Sequence, residues 1–512
     1  MVSSAGVVSG ATAFSRVLGL IREQVVAYFF GAGMATDAFI AAFRVPNLLR
    51  DLFAEGALSS AFIPVFKDKM VKDGREEAFR LANLTIGSLM VIVGIIVALG
   101  IIATPIIIYI SANGFTADPQ KFGLTVNLTR IMFVYLLLVS ISAVFMGILN
   151  SLGRFGIPAL SPALFNIGMI LGPLFLFKYF QAPIYSLAIG VIVGGIGQLA
   201  FQIPSLLRIG FNFRFIIDFA DVGLRRIGRL ISPMIMGLSA SRINILINTL
   251  LASLLIEGSI SYLNFAYRLM HFPLGVFGVA LGTVTLPRVS QEVAQDRHDR
   301  LAATFHEAVG LSVFLVLPSA VYLAGFGQDL VRLIYERGAF DAVDTINTAR
   351  ALFFYAFGLL GFAGVRVIAP VFYALGDARK PMYFSVISVV VNIVLNFAFM
   401  PLWGFAGLAA ATSAAGLTNM TLLTISARGK VKGIDHIYMI LHIGKVLLAS
   451  VAACLLIGSL NFANIFSSDN LTGKALTVIV QIIGMGVLYL IFARLMKVRE
   501  VGKVLELLRL KK

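Results

Sequence analysis

Between Leu84 and Ile110 the chain reads LTIGSLMVIVGIIVALGIIATPIIIYI, without one charged side chain. As a helix rising 1.5 Å per residue, this run is longer than the ~30 Å hydrocarbon layer of a bilayer. Further apolar runs, Val446–Leu460 among them, follow along the chain. Only 13% of residues are charged and 59% are hydrophobic, where a soluble domain carries about 25% charged residues. Such a chain has too little polar surface to be dissolved in water. The runs are unbroken rather than alternating, which excludes a β-barrel and predicts an all-α, polytopic membrane protein of about 14 spans.

The first residues carry no Lys or Arg ahead of their apolar part, so no cleavable secretory signal is expected. Cys454 is the sole cysteine and excludes disulfides and thiolate metal sites. The net charge of +16 could suggest nucleic acid, but its placement points to topology. Lys67, Lys69, Lys72, Arg75 and Arg80, then Arg208, Arg214, Arg225, Arg226 and Arg229, then Arg428, Lys430 and Lys432 all fall on one side of the predicted spans. The opposite connections hold Lys121, Lys178, Arg332, Arg337 and Lys474. The positive-inside rule then puts both termini in the cytoplasm, with no nucleic-acid partner. Phe211–Arg229 is amphipathic and basic and is expected to rest on the cytoplasmic leaflet.

The chain also repeats itself. GRFGIP at Gly153–Pro158 returns as GDARKP at Gly376–Pro381, and IPVF around Pro64 returns as LPRV around Pro287. Ala42-Phe43-Arg44 returns as Ala266-Tyr267-Arg268, and Ser15-Arg16 as Ser241-Arg242, at nearly the same offset. Six spans fit within one repeat, and an even number keeps both copies in one orientation. The expected organisation is two parallel six-helix lobes, residues 1–210 and 211–430, with a binding site between them. Residues 431–512 add two C-terminal helices and a basic tail. Glycines such as Gly190, Gly194 and Gly197 read as close helix packing rather than as a phosphate loop.

Cations remain inside the spans: Arg16, Arg22, Arg44, Arg50, Arg130, Arg242, Arg268, Arg350, Arg366 and Lys445. A charge at the bilayer centre costs at least ~2.5–3.5 kcal/mol, so these need a reason. Arg16 and Glu23 share a helix face, as do Ser15, Gly19 and Arg22, with glycine giving room beside the guanidinium. In the second span, 36–66, Asp37, Arg44 and Asp51 recur every seventh residue, which predicts Arg44 held between two carboxylates. Pro46 should kink that helix and swing Arg50 away from Arg44. Cations outnumber acids among these residues, and several converging guanidinium forks suit a diphosphate better than one carboxylate. The residues alone therefore point to a transporter or flippase of an anionic, lipid-linked substrate.

The quoted residues also resemble a known family. TDAFIAAFRVPNLLRDLFAEGALSSAFIPVF at Thr36–Phe66 is similar to the signature of the MurJ (MviN) family of bacterial lipid II flippases. FSRVLGLIRE, GRFGIPALSP and YRLMHFPLGVFGVALGTVTLP at Tyr267–Pro287 fit it too, and the likeness runs over essentially the whole chain. The resemblance implies the fourteen-helix fold of the multidrug/oligosaccharidyl-lipid/polysaccharide exporter superfamily. It implies transport, not catalysis: undecaprenyl-diphosphate-linked peptidoglycan precursor moved to the outer leaflet of the bacterial inner membrane, for cell wall biosynthesis. The partners implied are that lipid and the membrane lipids.

By motif the resemblance places substrate-binding roles on Arg16, Arg22, Asp37, Arg50 and Arg268, with Ser15, Arg44, Glu55 and His271 as secondary candidates. Tyr267 before Arg268 and His271 after it depart from relatives that carry acids there. No cofactor is expected. Coupling would come from the membrane potential or from Na⁺, for which Asn244, Asn248, Asn392 and Asn396 offer amide oxygens. Two rivals remain: an exporter of another anionic lipid-linked saccharide, and a membrane enzyme acting on polyprenyl phosphates. The enzyme would need clustered acids, and only Asp37, Asp51 and Glu55 lie close together.

Overall fold

A computed structural model describes every residue except Met1, 52–56, 296, 432, 461–469 and 503–512. The regular structure of the described residues is helical, with no strand. In chain order the helices are α1 (Val2–Phe30), α2 (Met34–Arg50), α3 (Ala57–Lys72), α4 (Gly74–Ser111), α5 (Pro119–Ser151), α6 (Gly156–Leu176), α7 (Tyr185–Ala200), α8 (Ile203–Arg208) and α9 (Val222–Ser253). They continue as α10 (Ser259–Pro273), α11 (Val279–Ala294), α12 (His298–Tyr335), α13 (Ala342–Ala374), α14 (Arg379–Trp403), α15 (Phe405–Ala427), α16 (His436–Ser459) and α17 (Leu471–Leu495). By packing they form two compact units: Met1–Ser261 with Arg337–Phe340, and Tyr262–Glu336 with Asp341–Lys512.

Ten helices among the described residues are long and apolar enough to cross a membrane. Four expected spans fall short of that test: α1, the pair α2 and α3, α9, and the pair α10 and α11. They hold Arg16, Arg22, Arg44, Arg50, Arg242 and Arg268. The other four cations, Arg130, Arg350, Arg366 and Lys445, lie on helices that meet the test. Counting the spans that fall short, the described helices accommodate the about 14 spans read from the sequence.

Local chemistry sets the helix ends. Asp118 caps α5 by accepting from the Gln120 and Lys121 amides, with Pro119 at the first helical position. Asp221, Asp341 and Asp435 cap α9, α13 and α16 in the same way. The repeated motif proves to be a helix stop. Gly153 after α5 and Gly376 after α13 both have positive φ, 75° and 72°. The amide following each reaches back to a carbonyl five residues earlier, Arg154 to Leu149 and Asp377 to Phe372, both at 2.9 Å.

In the first unit α6 and α7 touch through glycine. A methyl at Gly168 would stand 2.4 Å from the backbone of Gly194, and one at Gly190 would stand 2.7 Å from the Gly168 carbonyl. Close packing at Gly190 and Gly194 is thus as read; Gly197 meets only ordinary contacts. A run of rings, Phe62, Phe66, Phe79 and Phe211, fills the space beside α3 and α4. The second unit has its own core, in which Phe305, Val313 and Phe314 of α12, Val367 and Phe372 of α13, Val446 and Ala449 of α16, and Tyr489 of α17 are all buried.

Candidate functional site

Three polar centres in the first unit contain Arg22, Arg50 and Asp37, three of the five predicted substrate-binding residues. On α1, Arg22 donates through Nη1 to Asn166 Oδ1 at 2.9 Å and through Nη2 to Glu23 Oε1 at 2.5 Å. The ring of Phe165 lies 6.0 Å from its guanidinium carbon, within cation–π reach. Asn166 is buried and in turn donates from Nδ2 to the Ser15 carbonyl at 3.1 Å. An arginine can only donate and a carbonyl can only accept, so this amide has one orientation that satisfies both. Asn166, unmentioned by any motif, thus joins Glu23 in holding Arg22. Arg16 is exposed and Ser15 half-buried. At Gly19 a methyl would sit 3.9 Å from Asn166 Nδ2, ordinary contact, so that space does not require glycine.

The second centre is Asp51, at the end of α2. Arg50 grips its Oδ1 with Nη2 at 3.0 Å and Nε at 3.3 Å, while Arg242 of α9 donates Nη1 to Oδ2 at 2.7 Å. One carboxylate thus fixes two guanidinium groups from two helices. The third centre is Asp37, 1% exposed. It accepts from Lys121 Nζ at 3.0 Å, the Gly258 amide at 2.8 Å, the Ser261 amide at 2.9 Å and the Ser261 hydroxyl at 2.7 Å. Lys121 also lies 4.3 Å from the centroid of the Phe115 ring. In return, Glu257 Oε1 accepts the Met34 amide at 2.7 Å. The N-terminus of α2 is bound by a residue just before α10, and the N-terminus of α10 by a residue in the first turn of α2.

These bonds correct one expectation. Asp37 and Asp51 do not bracket Arg44: Asp37 is taken by Lys121 and by the start of α10, and Asp51 by Arg50 and Arg242. Heptad spacing put the three residues on one face, but stronger partners on other helices claimed both acids. Lys121, in the first turn of α5, is buried against Asp37. Glu55 lies outside the described residues. In the state described, Asp37 is a clamp between helix starts.

In the second unit, Arg268 and Tyr267 are exposed on α10. His271 Nδ1 bonds the Tyr267 carbonyl one turn back at 3.0 Å, and its ring lies 4.0 Å from that of Tyr267. Asn392 and Asn396 of α14 are fully buried. Asn396 donates to Asn392 Oδ1 at 3.1 Å, Asn392 to Thr412 Oγ1 at 3.3 Å, and Thr412 to the Leu408 carbonyl at 2.8 Å. That chain offers neutral oxygens and no carboxylate. Asn244 and Asn248 sit half-buried on α9 in the other unit. No group of three or more His, Cys, Asp or Glu side chains suited to a metal occurs among the described residues.

Comparison with known proteins agrees with the residues. The family model described as lipid II flippase MurJ matches residues 26–480. A probable lipid II flippase MurJ of Vibrio cholerae serotype O1 is 36% identical over 430 residues, covering 83% of this chain and 82% of its own. The lipid II flippase MurJ of Burkholderia cenocepacia is 35% identical, with 82% of each chain covered. A solved lipid II flippase MurJ in an inward closed conformation superposes with a TM-score of 0.79 at 28% identity, covering 95% of this chain and 98% of that one. An inward-facing multidrug resistance MATE family transporter superposes at 0.69 with 13% identity, a likeness of fold alone. The arginine-bearing spans, the duplicated helix stops and these matches have one explanation: the chain belongs to the MurJ family of lipid II flippases, membrane transporters and not enzymes.

Proposed function

We propose that this protein moves lipid II from the inner to the outer leaflet of the bacterial inner membrane, with both termini in the cytoplasm. It does so by binding the diphosphate to arginines of α1, α2 and α10 and alternating the exposure of that site. One observation carries the reading: six of the ten cations inside the spans, Arg16, Arg22, Arg44, Arg50, Arg242 and Arg268, fall on α1, α2, α9 and α10. At Asp51 one carboxylate meets two arginines. A guanidinium has five N–H donors, more than one carboxylate can use. Asp51 holds Arg50 along one edge and so fixes the direction of its guanidinium. Asn166 and Glu23 orient Arg22 in the same sense.

Arg16, Arg22 and Arg50 belong to the first unit and Arg268 to the second, and we assign all four to the headgroup. Ser15, Arg44 and His271 stand beside them in sequence. Asp37 we assign to holding the helix starts in this state. The drive follows from charge. A diphosphate with about two negative charges gains up to roughly 4–5 kcal/mol per 100 mV on moving out of a negative interior. The potential alone supplies a direction, and the Asn392–Asn396 chain is read as packing.

The test is the appearance of lipid II at the outer leaflet while its synthesis continues. Alanine at Arg16, Arg22, Arg50 or Arg268 should stop that appearance with the protein still present in the membrane. Normal export in all four variants would refute the assignment. For orientation, cysteine at position 116 should react with an impermeant reagent from outside and cysteine at position 72 should not, in a Cys454→Ser background. The reverse pattern would invert the topology.

A further inference from the structure

The segment between α8 and α9, residues 211–218, is neither helix nor strand, yet its contacts alternate. Even positions are strapped to α4. Asn83 donates from Nδ2 to the Asn212 carbonyl at 3.1 Å and accepts the Arg214 amide at Oδ1, also 3.1 Å. One turn further along α4, the Ile216 carbonyl occupies the place a side chain at Gly87 would take, 2.1 Å from where its Cβ would be. Just upstream, Arg75 bonds the Ile209 carbonyl. Odd positions after the buried Phe211 face away: Phe213 is 48% exposed, Phe215 57%, Ile217 41% and Phe219 50%. Four large apolar side chains in a row of alternate positions, rigidly mounted, are not what a water-facing loop carries.

The charges beside them are one-sided. Arg208, Arg214 and Arg229 are exposed. The acids of the segment are spent on the backbone, Asp218 accepting the Ala220 amide at 2.8 Å and Asp221 the Leu224 amide at 2.9 Å. The segment also joins two membrane-crossing stretches, which places it where hydrocarbon gives way to headgroups. We infer that Phe213, Phe215, Ile217 and Phe219 form a comb inserted into the leaflet, and that Arg208, Arg214 and Arg229 bind anionic phospholipid headgroups around it. The occupant of this surface is lipid. Apolar side chains on one edge and arginines beside them match an interface that is apolar below and negatively charged above. Asn83 and Gly87 are the mounting: they fix the pitch of the comb.

The chain has one tryptophan, Trp403, so a Trp403→Phe, Phe215→Trp protein reports on this site alone. It would be reconstituted in equimolar phosphatidylcholine and phosphatidylglycerol, with bromine carried on the acyl chains of one lipid or of the other. Quenching by both, stronger from brominated phosphatidylglycerol, supports the inference. Adding Arg214→Gln and Arg229→Gln should keep the quenching but erase the preference, with the anionic lipid enrichment falling about fivefold per arginine. Export of lipid II by the tryptophan protein verifies its fold. If iodide in the water quenches position 215 and brominated lipid does not, the comb is solvated and the inference fails. If neither quenches and cross-linking shows dimers, a second copy covers the face and the inference fails equally.

Discussion

Lys121→Met tests the clamp at Asp37 most directly. Removing one member of a buried ion pair costs about 3–5 kcal/mol when the survivor is left uncompensated. Here Asp37 keeps two backbone amides and the Ser261 hydroxyl, and bonds to a charged group contribute ~1.5–3 kcal/mol each. The loss should therefore fall to about 2–3 kcal/mol. Asp37→Ala is different in kind. It strands the Gly258 and Ser261 amides, the hydroxyl and the Lys121 ammonium together, and at ~1–3 kcal/mol per stranded donor we expect about 4–6 kcal/mol. The double variant should cost much less than the sum, with a coupling of about 2 kcal/mol. Equilibrium unfolding in mixed detergent micelles, followed by circular dichroism, gives all three values. Equal costs for the two single variants, or a coupling below about 0.5 kcal/mol as for exposed pairs, would show that Lys121 merely lies near Asp37.

Arg50→Lys should lower lipid II export about tenfold or more, because a lysine cannot hold Asp51 along one edge and a phosphate along another. Arg44→Lys, whose flanking acids serve other residues, should retain most of it; equal loss at both positions, measured in the same export assay, would remove the distinction. Gly168→Ala should destabilise by about 1–3 kcal/mol through overpacking against Gly194, whereas Gly197→Ala should be nearly silent; thermal unfolding in detergent compares them. Glu336 lies between α12 and α13. Burial pushes its carboxyl up, but the Thr345 hydroxyl, the Lys474 ammonium and Arg332 outweigh this and hold it below its ordinary 4.5. A lowered folded value means stability present above pH 4.5 and lost as pH falls through the folded value. Wild type should exceed Glu336→Gln in stability at neutral pH and converge with it in acid; a gap that persists below that window would put the effect elsewhere.

The membrane class and the spans were legible because they depend on composition and period, which each stretch of chain carries by itself. The GRFGIP and GDARKP echo even marked two helix stops of the same geometry at Gly153 and Gly376. Partner choice was not legible in this way. Arg242 could be listed as a buried cation, but only the approach of α9 to the end of α2 shows that it shares Asp51 with Arg50. Lys121 looked like an ordinary loop cation because nothing local to it is acidic except its own cap, Asp118. Asn166 carries no charge and sits in no motif, so only its two bonds reveal it. The outward comb at 213–219 was seen as an amphipathic basic stretch; its two-residue period came from the strapping by Asn83.

The joint between the starts of α2 and α10 bears on how the two halves could diverge. The register that matches Arg44 with Arg268 also matches Asp37 with Ser261, Met34 with Gly258 and Gly33 with Glu257. Each carboxylate here therefore bonds within one position of its own counterpart: Asp37 meets Ser261, and Glu257 lies beside Gly33 and takes the Met34 amide. In a perfectly duplicated chain the same residue would have faced itself. Two aspartates would have met carboxylate to carboxylate in a buried place, which is unfavourable unless one takes a proton. Two serines would have left both helix starts with weaker acceptors. A contact between matching positions is strongest with a donor on one side and a charged acceptor on the other, so two copies that were free to differ gained a bond that identical ones lacked.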